Sequence, residues 1–187
     1  MIRNAWAFAA DARHWMPLPP SPLPADLRER WLDQAVARMA RANLVTDEAL
    51  LPALRRRGAE ILDAAPGGEA CVYFPVMEPD ALVVCIETLP EDDWRESLRH
   101  WARQDGPTTS VEVTPLEHAA LSEAHRVMRV DRGDDAVEFG VAFAGIANGV
   151  GVVLWAITTQ PLLAGQFGGA GEEFFATFEP RSESAVA

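Results

Sequence analysis

One pair of residues in this chain is spaced for acid–base chemistry. Glu123 and His125 lie two apart on a predicted strand, so they share a face about 6.6–6.8 Å apart along it. A carboxylate beside an imidazole is the least that a small hydrolase or small-molecule-binding enzyme needs for general acid–base work. The competing reading is a solvated polar stripe that also takes in Arg129. The other histidines offer less. His118 and His125 are seven apart on the strand predicted over 117–130, which puts them on opposite faces and prevents a shared metal without a bulge. His100 follows Glu96 by one helical turn, as in an ordinary surface pair, and His14 stands apart from any motif.

Most other chemistries are excluded by what is missing. All 16 basic residues are Arg, which fits a GC-rich bacterial coding bias. Without Lys there is no Schiff base, phosphate-loop lysine or lysine base. The sequence has no zinc spacing, no Cys-x-x-Cys and no Gly-x-Ser-x-Gly. Gly165 to Gly171 precedes a predicted helix start, but Glu172 and Glu173 would repel a phosphate there. The sequence therefore assigns no catalytic, cofactor-binding or metal residue outright, and no cofactor is expected.

The charge pattern narrows the partners. The net charge is −12; residues 1–65 carry 9 Arg against 8 acids, and residues 66–187 carry 7 Arg against 20. Such a surface repels nucleic acid and anionic membranes. Phe139 to Gly171 contains no charged side chain. Its glycines, the Asn148-Gly149 hairpin signal and the period-two alternation around it argue for strands and against a membrane span. Cys71 and Cys85 are too few for a disulfide scaffold, and the apolar run Ala5 to Ala10 is too short for a signal peptide. A cytoplasmic location is expected.

The elements that must position these residues follow from periodicity. Trp6 and Phe8 have strand spacing, and the proline-rich run Pro17 to Pro24 must be extended. That run could dock a proline-recognising module, but Trp15, Leu18 and Leu23 read as packed, so a stiff connector is expected. Helices are predicted over 26–42, with a stripe of Leu27, Trp31, Ala35 and Met39, and over 46–64, with Leu50, Leu54, Ile61 and Leu62 on one face. Thr46 is the expected N-cap, although Pro52 points to a later start. Arg55-Arg56-Arg57 reads as a solvated basic face.

Strands follow over 70–77 and 82–89, turning at Glu78-Pro79-Asp80. If that hairpin centres on Glu78, Cys71 faces Cys85 and a cross-strand disulfide is conceivable; two small buried side chains are the simpler reading. A third helix over 91–104, stopped by Asp105-Gly106-Pro107, leads to a strand at 109–113. A meander over 117–130, 136–143 and 150–159 comes next. In its middle strand Val137, Phe139, Val141 and Phe143 face one way and Glu138, Gly140, Ala142 and Ala144 the other, so a helix should approach the small face closely. Residues 160–171 read as a Gly-rich loop, and 171–178 as a last helix closed by Pro180.

These elements make a single α+β domain over 1–180 with a frayed tail at 181–187. The order of an opening strand with Trp6 and Phe8, Trp15-Met16-Pro17-Leu18, then helices, hairpin, helix and meander, closing on Phe174-Phe175-Ala176-Thr177-Phe178-Glu179-Pro180, resembles the Mog1/PsbP-like fold. It resembles most its uncharacterised actinobacterial members. The resemblance implies an antiparallel sheet flanked by helices, an α/β/α sandwich. It also implies a binding or assembly role without a shared active site. A non-enzymatic protein-binding or assembly factor, with a protein partner or as a homo-oligomer, is the leading expectation. The charge-free segment would offer an apolar patch or an edge strand. A Glu123–His125 enzyme and a chaperone for secreted proteins are the alternatives.

Overall fold

A computed structural model describes residues 5–20, 22–77, 80–104, 108–133 and 135–181. The fold is α+β, with helices flanking a largely antiparallel sheet. The chain forms two compact units, Ala10–Cys85 and Met1–Ala9 with Ile86–Ala187.

In the first unit, β2 (Trp15–Leu18) pairs antiparallel with β3 (Glu69–Tyr73), and β3 neighbours β4 (Leu82–Pro90). The Pro17 segment is thus extended, as its prolines demand, and Trp15 and Leu18 are buried. Two helices cover one face, α1 (Ala25–Ala42) and α2 (Leu51–Asp63). Trp31, Leu32, Ala35 and Met39 of α1 meet Ile61 and Leu62 of α2 over Ala70, Val72 and Phe74. Trp31 also donates its indole N–H to Pro17 O at 2.9 Å, locking the proline segment to the helix.

Leu27 and Leu50 leave the predicted stripes and are exposed. Leu27 lies in the first turn of α1, and Leu50 belongs to a 3-10 turn, Glu48–Leu50, that precedes α2. Asp47, not Thr46, caps that turn by accepting Ala49 N–H at 2.9 Å, and Pro52 sits at the start of α2 where a missing N–H costs nothing. Arg55 pairs with Glu29 and, at 2.6 Å, with Asp33, while Arg57 pairs with Asp80 at 3.1 Å. Two of the three clustered arginines are therefore spent within the unit. Cys71 and Cys85 form no disulfide. Ala81 and Val83 pack in the same cluster as Val72 and Phe74. Strand alternation then places Cys85 on the helix-covered face and Cys71 on the other, so the conceivable disulfide is not formed.

In the second unit the strand order is β4-β8-β7-β6-β5, with β5 at Thr108–Pro115, β6 at Glu123–Arg132, β7 at Val137–Ala147 and β8 at Val150–Thr158. The registered pairs are antiparallel. Asn148 and Gly149, both at positive φ, make the two-residue turn between β7 and β8. A helix lies on each face. The first, α3 (Glu91–Trp101), covers the small side of β7, where Trp101 reaches Gly140, and Trp94 reaches Gly151 of the neighbouring β8. The second, α4 (Pro161–Phe175), packs Phe167 and Phe175 on Phe143. A short ribbon pairs β1 (Trp6–Ala7) with β9 (Glu179–Pro180).

Three expectations change here. The charge-free segment is mostly buried, and β8 lies between β4 and β7, so it is neither an apolar patch nor an edge. Residues 161–171 are helix, not loop. Leu163, Ala164, Phe167, Gly168, Gly171, Phe174 and Phe175 recur at helical spacing and are buried. Burying each Phe is worth about 1.5–3 kcal/mol, against about 1 kcal/mol lost per helical glycine. Residues 116–122 are not strand, so His118 lies outside β6. The turns expected at Glu78-Pro79 and Asp134, the Asp105-Gly106-Pro107 stop, and the tail beyond Arg181 lie outside the described residues. No helix among those residues is long and apolar enough to cross a membrane.

Candidate functional site

The α3-facing side of β6 carries the predicted pair. Residues 123, 125, 127, 129 and 131 alternate onto it, and Val127 anchors that side by full burial. His125 Nε2 lies 3.0 Å from Glu123 Oε1, so the two residues meet as the spacing predicts. Arg95 of α3 reaches the other oxygen of Glu123 at 3.3 Å and also holds Glu91 at 2.9 Å. Both Glu123 oxygens are therefore engaged.

The free ring nitrogen decides what this pair can do. His125 Nδ1 is sealed from solvent and has no hydrogen-bond partner among the described residues. A general base must be within hydrogen-bond reach of its substrate proton. Nε2 is taken up by the Glu123 carboxylate and Nδ1 is buried, so neither ring nitrogen opens to solvent here. The geometry is that of a structural bridge from α3 to β6. Glu123→Gln should then cost about 1 kcal/mol or less, because the side chain is 37% exposed. Urea unfolding checks this; a loss above about 2 kcal/mol would mean that the bridge carries more than a surface ion pair.

A tighter cluster lies one turn of the pleat further along. Arg129 grips Asp131 with two bonds, Nε to Oδ2 at 2.7 Å and Nη2 to Oδ1 at 2.8 Å. Thr108 of β5 closes the ring: its hydroxyl accepts from Arg129 Nη2 at 2.6 Å and donates to Asp131 Oδ1 at 2.6 Å. The guanidinium lies 5.8 Å from the Trp101 ring centre. The side chains of Arg129 and Asp131 are 13% and 19% exposed. The hydrogen bond from Arg129 is the main cause holding the Asp131 carboxyl below the usual aspartate range. Arg129 was visible as part of the polar stripe. Asp131 carries the same period-two signal as Glu123 and His125. Thr108 gives no local signal, because only the β5–β6 register brings it there.

His118 and His14 are tied individually, and His100 lies in the last turn of α3, where its carbonyl accepts from Arg129 Nη1 at 3.4 Å. His118 Nε2 lies 3.1 Å from Phe175 O and Nδ1 accepts Ala120 N–H at 3.1 Å, which fixes the orientation of the ring. His14 Nδ1 lies 3.2 Å from Phe74 O. Glu172 pairs with Arg126 at 2.9 Å. No group of three His, Cys, Asp or Glu side chains that could hold a metal occurs among the described residues. The first unit has a shallow apolar groove of about 270 Å³ beside Leu23, Leu27 and Trp31. Arg30, the cation among its described lining residues, is held by Asp26 at 2.5 Å.

No family model and no curated protein matches this chain. Its function must be argued from its own chemistry.

Proposed function

We propose that this chain is a non-enzymatic protein-binding or assembly factor on a Mog1/PsbP-like scaffold. The observation that carries the reading is the edge of β5, which pairs with no strand but β6 among the described residues. This eight-residue strand ends the strand order, and most of its side chains are exposed. An open edge is a row of backbone donors and acceptors that another strand can use, and natural sheets usually blunt it. The antiparallel sheet held between α3 and α4 is also the arrangement that a Mog1/PsbP-like scaffold implies. The enzyme reading loses its support where His125 is sealed.

The test is purification of the tagged full chain from its native host after mild cross-linking. A stoichiometric protein partner or a second copy is expected. A retained small molecule with no protein, or an uncomplexed monomer, would overturn the reading.

A further inference from the structure

We infer that the β5 edge accepts an extended segment of another protein with the alternation apolar–basic–apolar, the basic residue opposite Glu112. This rests on the protein-binding reading and names the chemistry of its partner.

The edge is guarded at its ends and open in its middle. The β5–β6 register shifts between Thr108 and Ser110, Gln104 Nε2 donates to Thr109 O at 3.2 Å, and Pro115 closes the far end. Bulges and prolines are common devices for stopping strand pairing. Between them, Ser110 to Thr114 carries neither.

The two faces of that stretch ask for different side chains. Val111 and Val113 point to the α3 side, and Val113 is 42% exposed. An added strand would place apolar side chains against them. Glu112 points to the other side between Ser110 and Thr114. Its carboxylate takes the Thr114 hydroxyl at 3.3 Å and has no cation partner among the described residues. The nearby arginines are already neutralised: Arg126 by Glu172, and Arg129 by Asp131. An added Arg or Lys opposite Glu112 would supply the missing charge.

The surrounding charge selects the same partner. Residues 1–9 and 86–187 carry 8 Arg against 17 acids, a balance of −9. A second copy is disfavoured. Centring β5 against its own copy on Val111 sets Glu112 against Ser110, gains no cation, and joins two acidic units.

The experiment uses the full chain and dye-labelled Ser-Val-Arg-Val-Thr, with Ser-Val-Glu-Val-Thr as control. Fluorescence anisotropy should show saturable binding of the arginine peptide about fivefold tighter than the control, weakening in about 0.5 M salt. Glu112→Arg should reverse the preference. Val113→Asp should weaken both peptides, with circular dichroism confirming the fold, and bound peptide should slow amide exchange in Ser110 to Thr114. Equal or absent binding of the two peptides, or an unchanged preference in Glu112→Arg, overturns the inference. So does a concentration-dependent dimer that Val113→Asp abolishes. The native-host purification repeated with Glu112→Arg separates the two claims. A partner kept equally by wild type and variant leaves protein binding standing and removes β5. No partner with either removes the broader reading.

Discussion

Replacing Gly151 by alanine is expected to lower stability by about 3 kcal/mol, at the upper end for overpacking a core. A Cβ at this position of β8 would overlap the Trp94 indole at Cγ and Cδ1 and stand 2.5 Å from Trp94 Cβ. These are the root atoms of the side chain, not a tip that can swing aside. Trp94 is fully buried, so it has no solvent to move into. Its helix start is also tethered, because Glu91 N–H donates to Gly149 O at 3.1 Å. The remaining escape is a shift of α3 away from the sheet, which would loosen Trp101 and Leu98 as well. For a chain of this size the melting temperature should fall by about 6–12 °C, read by tryptophan fluorescence. Trp94→Leu in the same chain should recover part of that loss, so the double variant should lie above the sum of the two single effects. A melt within about 2 °C of wild type would show that the close approach is not a constraint.

Replacing Arg129 by methionine should cost about 2–3 kcal/mol, somewhat less than breaking a fully buried pair. The change leaves the Asp131 carboxylate and Thr108 hydroxyl without their shared donor in a largely enclosed place. Methionine keeps much of the packing against Trp101, so the loss reports on the charge. Asp131→Asn tests the other end and has a pH signature. The Asp131 carboxyl is held below its ordinary range in the folded chain. Its stabilising contribution is therefore complete above the unfolded value of about 3.9 and is lost as pH falls through the lower folded value. Urea midpoints of wild type and Asp131→Asn should differ by a constant amount from about pH 7 to 5 and converge below about pH 4. A gap that persists unchanged at the most acid pH would assign the effect to packing.

The small face of β7 was legible because the sequence writes it as an alternation. Gly140, Ala142 and Ala144 leave room, and α3 fills it with tryptophans, as a missing side chain requires. The spans of α1, α3 and β8 were similarly visible in their periods. The helix over 161–175 was not, because local propensity reads its glycines as breakers. What overrides them is distant in sequence: the Phe143 ring against which Gly171 must lie flat, where a Cβ would come within 2.5 Å of Cε2. The Glu123–His125 contact was legible from spacing alone. Its closure was not, because Arg95 comes from another element and the burial of Nδ1 depends on packing. The β5 edge escaped notice for a related reason. Whether a strand is flanked on both sides is a property of strand order, which no local pattern encodes. The charge-free segment suggested an edge, but full burial within a sheet produces the same composition.

The turn at Asn148 and Gly149 has a consequence for how the chain reaches this structure. Strands β7 and β8 make up most of the longest charge-free stretch, the kind of segment that aggregates when it stays open during synthesis. A two-residue connection closes with very little loop entropy, and hairpins of this kind zip in about 1–10 μs. The pairing of β7 with β8 needs no distant element to begin. The stretch most hazardous to a nascent chain can thus be among the first to satisfy its own backbone.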